Sequence, residues 1–264
     1  LYMIKIKIRK AVKKKKYIFL AAMAFLAVFL IWWAVSGTGA VKEIFLPKPS
    51  SVLQYYVGAI QDGSLWENTR ISVIRITLGF LIAVVLGIPV GILAGTFKKI
   101  EVVIRPLCEF IRYMPVPAFV PLIMVWVGIG ESAKVTVIFI GTFFQLVLMV
   151  ADDAMAVPDD LINAGYTLGA DTKKAVFRIM IPAMLPRLME TLRMMIGWAW
   201  TYLVSAELVA ANTGLGYTIL KSQRFLKTDA IFGGILLIGL LGLITDRIFA
   251  FLNKKLFPWV EGGK

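Results

Sequence analysis

The chain has 264 residues, of which 59% are hydrophobic and only 17% are charged, and its mean hydropathy is +0.82. Soluble globular domains carry roughly 25% charged residues, so this composition excludes an ordinary soluble enzyme. The 29 Lys and Arg residues outnumber the 16 Asp and Glu residues, and a formal charge of +13 in a soluble protein would suggest a nucleic acid or an anionic surface as partner.

The first element is a basic segment, residues 1–16, which contains eight of the 29 cationic residues. An uncharged apolar run follows at 17–35. Because a bilayer span needs about 20 apolar residues, we predict a first transmembrane helix over 17–36. A secretory signal is the alternative, but the run is longer than the roughly 7 to 15 apolar residues of such a signal.

Five further spans are predicted in a permeation core that covers residues 46–252. They are the apolar runs at 76–97, 101–130, 135–151, 188–206 and 230–245. In the second span, small residues recur every four positions from Gly79 to Gly95, a pattern that allows close helix packing within the chain or between subunits. The last two runs are weaker, because one contains charges and the other is short. Six spans is the prediction, and five is the alternative.

The cationic residues predict the orientation of these spans. Lys and Arg in short loops are retained on the cytoplasmic side of a membrane. When segment 1–16 is placed inside, alternation over six spans puts most of the remaining loop cations inside as well. Both termini, including segment 253–264, are therefore predicted to be cytoplasmic. The excess positive charge then reflects topology and attraction to anionic lipid, and no nucleic-acid partner is expected.

The third predicted span contains a proline-rich break at 114–117, with Arg112 directly before it. Broken helices at membrane depth are tolerated where they line a cavity, although a static kink is the alternative. Arg105 and Glu109 lie one helical turn apart, and we expect them to pair. Arg112 then has no obvious acidic partner, which makes it the main candidate for attracting an anionic solute.

The longest polar segment on the predicted inner side covers residues 152–186. Pro158 and the two acidic residues after it favour a helix start. This helix should be interrupted at Gly169, restart with Asp171 as its N-cap, and stop or kink at Pro182. A short helix pair that projects from a membrane bundle is suited to insertion into a groove on a partner.

The fifth predicted span carries aromatic and hydroxyl side chains along one face. Such a stripe could line a pathway, although aromatic residues are also common anchors at the membrane interface. We predict a substrate pathway formed by Arg112, Met114, Pro115, Pro117, Trp198, Thr201, Tyr202 and Ser205. The following segment, 207–217, contains glycines that favour a turn over the cavity mouth or a plain loop.

The inner segment resembles the Glu-Ala-Ala…Gly…Ile-x-Leu-Pro loop of permease subunits of bacterial ATP-binding cassette importers. The matching positions are Asn163-Ala164-Gly165, Gly169, Ile179 and Ile181-Pro182. Asn163 stands where that family usually has Glu, and Gly165 stands where it has the second Ala. In that family the loop forms a coupling helix that docks into the ATPase subunit. The resemblance implies that the docking residues are Asp160, Leu161, Asn163, Ala164, Gly165, Thr167, Leu168, Gly169, Ala170 and Asp171.

Motifs elsewhere extend the resemblance to nearly the whole chain from about residue 46. They are Phe-Leu-Pro-x-Pro-Ser at 45–50, Arg-Tyr-Met-Pro-Val-Pro at 112–117, Trp-Val-Gly-Ile-Gly at 126–130, Ala-Glu-Leu-Val-Ala-Ala at 206–211 and Gly-Leu-Gly-Tyr at 214–217. Together they are similar to the branch that imports sulfonates, taurine, nitrate or bicarbonate. The resemblance implies an all-α membrane protein with six transmembrane helices and a cytoplasmic coupling helix, the type I importer-like (MetI-like) permease fold.

The resemblance also implies a function and a set of partners. The function is ATP-driven import of a small anionic solute by alternating access, with taurine or an alkanesulfonate favoured and nitrate, bicarbonate or a vitamin precursor as alternatives. The partners are two copies of an ATPase that binds ATP and Mg, an extracytoplasmic solute-binding protein, a second copy of the chain, and lipid of a bacterial inner membrane.

Missing residue types agree with a chain that performs no bond chemistry. There is no His, and Cys108 is the single Cys, which excludes imidazole catalysis, intrachain disulfides and His or Cys-cluster metal sites. No G-x-x-x-x-G-K-[ST] phosphate loop occurs in the sequence. We therefore expect no enzyme activity, no cofactor and no metal in this chain. The rival classes are an ion-coupled secondary transporter, which should have unpaired acidic groups within its spans, and a membrane-embedded scaffold.

Overall fold

A computed structural model describes residues 13–208 and 211–261, and the described residues form helices with no strand. The helices are α1 (Lys14–Gly37), α2 (Pro49–Gln61), α3 (Ser64–Thr96), α4 (Lys98–Arg112), α5 (Val116–Val127), α6 (Glu131–Met155), α7 (Asp159–Thr167), α8 (Thr172–Lys174), a π-helical segment (Ala175–Met180), α9 (Ile181–Leu208), α10 (Leu215–Arg224), α11 (Thr228–Leu256) and α12 (Pro258–Glu261). Most of basic segment 1–16, two positions of the 206–211 motif, and residues 262–264 lie outside the described residues.

Each predicted span corresponds to a helix or to a bent helix pair. In the described part of the chain, α1, α3, α6 and α11 are long and apolar enough to cross a membrane. The α4–α5 pair meets the same test as a fifth span, with a bend of 102° at the break. The remaining prediction corresponds to α9, which is 28 residues long but carries Arg187, Glu190 and Arg193 in its first half. The predicted proline break is thus confirmed as a sharp turn between two helices.

The bundle is centred on α6, which packs against α3 and α9. The fully buried side chains at this centre include Ile138, Leu146, Met195 and Leu203. In contrast, α1 lies at the periphery, where Trp32 stacks on Phe232 of α11 at a ring-centroid distance of 6.0 Å. The core is therefore formed by the central helices, and α1 adds an apolar surface beside them.

Small residues on α3 allow its close approach to α6. A Cβ atom at Gly91 would lie 2.6 Å from Cβ of Val150, and one at Gly95 would lie 2.5 Å from the carbonyl oxygen of Ala151. Such distances are shorter than van der Waals contact, so a larger residue at either position would push the helices apart. The small-residue face predicted in the second span thus serves packing within the chain.

Candidate functional site

A cavity of about 430 Å³, here called the chamber, lies where the α4–α5 break meets α6 and α9. Its walls include Arg112, Tyr113 and Met114 from the break, Gln145 from α6, and Trp198 and Tyr202 from α9. The structure thus brings together four of the predicted pathway residues, from positions more than 80 residues apart in sequence. Helices that cross a membrane can expose polar groups only where those groups line a cavity or contact other protein groups.

The other four predicted pathway residues do not line the chamber. Pro115 is the N-cap of α5, and Pro117 lies in its first turn, so both prolines shape the break. Thr201 is exposed on α9, and Ser205 lies nearer the end of that helix, one turn beyond the chamber. Of the pathway residues predicted on α9, Trp198 and Tyr202 thus line the chamber, whereas Thr201 and Ser205 do not.

Arg112 supplies the positive charge of the chamber. Its Nη1 donates a hydrogen bond to Oε1 of Gln145 at 3.2 Å, and its Nη2 donates to the Tyr113 hydroxyl at 2.9 Å. Both partners are neutral. Within residues 13–208 and 211–261, no carboxylate lies within ion-pair distance of the Arg112 guanidinium. The charge is positioned but not neutralised, which favours an anion beside it.

The acidic groups near Arg112 are engaged by Arg105. This side chain lies 2.6 Å from Asp152 of α6, 3.2 Å from Glu101 and 3.9 Å from Glu109. The predicted pairing of Arg105 with Glu109 is confirmed, although Asp152 is the closer partner. Arg105 is thus neutralised, whereas Arg112, which lies two turns further along α4, is not.

Aromatic rings form the α9 wall of the chamber. Trp198 and Tyr202 stack with a centroid distance of 6.3 Å and an interplanar angle of 27°. Tyr202 also covers Gly141 of α6, where a Cβ atom would lie 2.6 Å from Cδ2 of the ring. Sequence reasoning missed Gly141 and Gln145. The signal that could have found Gln145 is its position as a lone amide in an uncharged apolar span.

A second cavity of about 530 Å³ lies next to the chamber, at the end of the bundle that carries segment 152–186, which we call the coupling end. The walls of this coupling-end cavity include Asp152, Asp153, Arg187, Glu190, Thr191, Asn253 and Lys254. Asp153 is nearly buried, accepts a hydrogen bond of 2.6 Å from the Thr191 hydroxyl, and lies 3.5 Å from Nε of Arg187. The two cavities share Met149 and Met194 in their walls.

The opposite end of the bundle carries an ion cluster around Arg75 of α3, here called the Arg75 cluster. Arg75 is 1% exposed and donates two hydrogen bonds to Glu131 of α6, at 2.6 and 2.7 Å. A third hydrogen bond, of 2.7 Å, goes to Glu207 of α9, which is fully buried. Ser72 donates to the same carboxylate at 2.7 Å. The cluster joins three of the central helices.

The Arg75 cluster also holds the backbone of the loop that leads into α10. Arg75 donates to the Thr213 carbonyl oxygen at 2.8 Å, and the backbone N–H of Gly216 donates to Glu207 at 2.7 Å. Between them, the N–H groups of Gly214 and Leu215 donate to Asn68 and Ser72 of α3, respectively. Sequence analysis left segment 207–217 open between a gate turn and a plain loop. The structure shows a loop in which backbone groups of four consecutive residues are bonded to the side chains of Arg75, Asn68, Ser72 and Glu207.

At the coupling end, the predicted helix pair is present. Pro158 is the N-cap of α7, and Asp171 caps α8 by accepting a hydrogen bond of 2.7 Å from the Lys174 N–H. Gly169 has φ of +82°, and the N–H groups of Gly169 and Ala170 donate to the carbonyl groups of Tyr166 and Gly165. These two bonds form a Schellman motif, which ends α7 and requires the left-handed residue that glycine readily supplies.

Of the two outcomes expected at Pro182, a stop or a kink, the stop is wrong. The helix does not stop at Pro182, because α9 begins at Ile181 and continues through both Pro182 and Pro186. The distortion lies before the proline, where residues Ala175–Met180 form a π-helical segment. A proline in a helix removes a hydrogen bond and crowds the carbonyl four residues earlier, and a wider π-helical turn accommodates both effects.

Most of the residues predicted to couple with an ATPase are exposed on and after α7. Leu168 is 89% exposed and Leu161 is 44% exposed, while Asp160, Asn163, Ala164, Thr167, Gly169 and Asp171 are also exposed. Ala170 is half-buried. Gly165 is buried, because α7 packs there against Ile179, whose Cδ1 would lie 2.2 Å from a Cβ atom at Gly165. The segment thus presents a surface of mixed polar and apolar groups.

Comparisons with known proteins agree with this architecture. The family model described as "binding-protein-dependent transport system inner membrane component" matches residues 87–258. The taurine transport system permease protein TauC of Escherichia coli is 32% identical over 240 residues, which cover 89% of this chain and 87% of that protein. The putative aliphatic sulfonates transport permease protein SsuC of Bacillus subtilis is 31% identical over 253 residues, which cover 96% and 92%.

The chain belongs to this family of binding-protein-dependent transport permeases. A further relative, the bicarbonate transport system permease protein CmpB of Synechocystis, is 30% identical over 246 residues, which cover 88% of the permease and 86% of that protein. The inward-facing MetNI methionine ABC transporter has a similar fold, with a TM-score of 0.57, 22% sequence identity, and coverage of 72% of the permease and 94% of the solved chain.

Family membership settles the general role of the permease. It is the multi-pass inner-membrane subunit of an ATP-binding cassette importer, with the MetI-like all-helical fold. It is not an enzyme, since in this family the ATPase is a separate subunit. Its partners are that ATPase and a solute-binding protein.

Proposed function

We propose that the permease imports a small anionic solute by ATP-driven alternating access, and that the solute passes through the chamber at Arg112. The observation that carries this proposal is the un-neutralised Arg112 guanidinium, held by Gln145 and Tyr113 in the wall of a cavity. An arginine fork suits a sulfonate or carboxylate group, because its N–H donors match two oxygens of the anion.

We favour taurine or another alkanesulfonate as the solute. The chamber walls contain no carboxylate, while Trp198, Tyr202 and Phe144 offer apolar and aromatic surface opposite Arg112. A sulfonate can bind Arg112 while an alkyl chain contacts the rings, and the ammonium group of taurine can lie over an aromatic face. Two of the relatives carry taurine and sulfonate in their names, and a third carries bicarbonate. Nitrate, bicarbonate and a vitamin precursor are the alternative solutes.

The proposed assembly contains two permease copies, two ATPases that bind ATP and Mg, and one binding protein. In this arrangement the coupling end and both termini are cytoplasmic, and α7 with Leu168 docks into the ATPase. The Arg75 cluster then lies at the outer side. A closed two-fold pair is the commonest form of homo-oligomer, and it would place two chambers around a shared axis.

The partners of the carboxylates argue against an ion-coupled secondary transporter. Such a protein should have unpaired acidic groups in its spans, whereas Glu131 and Glu207 both bond to Arg75. Asp153 likewise has Thr191 and Arg187 as partners. The acidic groups of the central helices are thus engaged in fixed contacts.

The test of the proposed site is uptake by proteoliposomes that contain the permease, its ATPase and its binding protein. Arg112→Ala should weaken the apparent affinity for the anion about 10- to 100-fold, since a hydrogen bond to a charged group contributes roughly 1.5–3 kcal/mol. The apparent affinity of Arg112→Lys should lie between those of Arg112→Ala and the unmodified permease, because lysine keeps the positive charge but loses the paired N–H donors of the guanidinium. Arg70→Ala, which removes an exposed cation of α3, is the control. Unchanged affinity in Arg112→Ala would contradict the site.

A further inference from the structure

The chamber and the coupling-end cavity follow one another along the antiparallel helices α6 and α9. Their volumes are about 430 and 530 Å³, respectively. Only Met149 and Met194 are common to the described walls of both. The boundary between the two cavities is therefore formed by one thioether side chain from each helix.

The spacing of the lining residues places the two methionines at one level. On each helix the residues that face the cavities recur every four positions, in the order Gln145, Met149 and Asp153 on α6, and Trp198, Met194 and Glu190 on α9. Four residues correspond to a helical rise of about 6 Å. Each methionine is thus one turn from Gln145 or Trp198 in the chamber and one turn from Asp153 or Glu190 in the coupling-end cavity.

Both methionine side chains have room to move. Met194 is 56% exposed and Met149 is half-buried, whereas the neighbouring Met195 is fully buried in the core. Methionine is unbranched and has three rotatable bonds, so it can change rotamer without displacing the helix. A closed pair of thioethers offers an anion no strong hydrogen-bond donor, and a charged solute pays a high cost to enter such an apolar level.

The charges on the two sides of this level differ in whether they are paired. The chamber contains Arg112 and no carboxylate in its wall. In the wall of the coupling-end cavity, Asp152, Asp153 and Glu190 are paired with Arg105, Arg187 and Arg193, respectively. An anion should therefore bind more strongly in the chamber than beyond it, which favours release once the boundary is crossed.

We propose that Met149 and Met194 form an apolar gate between the chamber and the coupling-end cavity, and that the solute leaves only when both side chains swing aside. This proposal rests on the proposed function, because it takes the chamber as the solute path. The two methionine side chains block the path because they occupy the boundary between the cavities and are apolar. Smaller side chains should leave it open, and a larger rigid one should hold it closed.

The experiment measures leakage of labelled solute from loaded proteoliposomes in the absence of ATP, followed by ATP-driven uptake and ATP hydrolysis. Met149→Ala combined with Met194→Ala should raise ATP-independent leakage at least tenfold. Met194→Leu, which keeps an apolar side chain of similar size, should remain as tight as the unmodified permease. Met194→Trp should reduce uptake at least tenfold while ATP hydrolysis continues. Met23→Ala on the peripheral helix α1 is the matched control, since Met23 is 48% exposed and Met194 is 56% exposed.

Two results would overturn the gate. One is leakage from the double alanine variant equal to that of Met23→Ala, and the other is full uptake by Met194→Trp. Failure of the proposed function would give a different pattern, in which the unmodified permease takes up a neutral solute and no anion. In that case the same leakage assay, performed with the neutral solute, still decides whether the two methionines form the gate.

Discussion

At the residue scale, the Arg75 cluster shows what the sequence could not reveal. Arg75 directly precedes the apolar run 76–97, and its partners Glu131 and Glu207 lie 56 and 132 positions away. No local pattern marks a pair at such separation, because only tertiary packing brings the groups together. Arg112 was different. Its position beside a proline break, with no obvious acidic partner, could be predicted from the sequence.

Glu207 provides a stability prediction at this scale. Glu207→Ala should lower the free energy of unfolding by about 3–5 kcal/mol, because it leaves Arg75 buried with one partner fewer. The control is Glu43→Ala, which removes an exposed pair with Lys48 and should cost roughly 0–1 kcal/mol. Thermal unfolding of the two purified variants in the same detergent measures the difference. Equal midpoints would show that the cluster does not stabilise the fold.

At the element scale, breaks and caps were predictable and exact helix paths were not. Prolines and glycines act locally, so the α4–α5 break, the Pro158 start and the Gly169 end of α7 all followed from sequence. The continuation of α9 through Pro182 could not be predicted from sequence, because packing of α9 in the core and a preceding π-helical segment compensate for the proline. The charges of α9 likewise weakened its prediction as a span, although Arg193 is paired with Asp246 of α11 at 2.6 Å.

The segment after α7 yields a prediction about coupling. Leu168→Asp should abolish ATP-dependent uptake and reduce co-purification of the ATPase at least tenfold, because an 89% exposed leucine at a docking surface would become charged. The fold should not change, since this side chain has little packing to lose. Ile44→Asp, at an exposed position before α2, is the control. Normal co-purification of Leu168→Asp would show that the ATPase docks elsewhere.

At the scale of the whole molecule, the composition and charge indicated a membrane protein, and the family comparison established which kind. The all-helical fold, five of the six predicted spans and the helix pair of segment 152–186 were within reach of sequence, since each depends on periodicity, length or local capping. Only part of the chamber could be predicted from sequence. Its α4 and α9 walls were predicted, while Gln145, Gly141 and the methionine level emerge only when α6 is placed between them.

The most direct test of the central claim is uptake by the complete importer under defined driving forces. Proteoliposomes with permease, ATPase and binding protein should be supplied with labelled taurine, an alkanesulfonate, nitrate, bicarbonate and a neutral isostere of the sulfonate. We expect accumulation of a solute that carries a sulfonate or another anionic group, and this accumulation should require ATP and persist when ion gradients are collapsed. Accumulation that follows an ion gradient without ATP, or a preference for the neutral isostere, would contradict it.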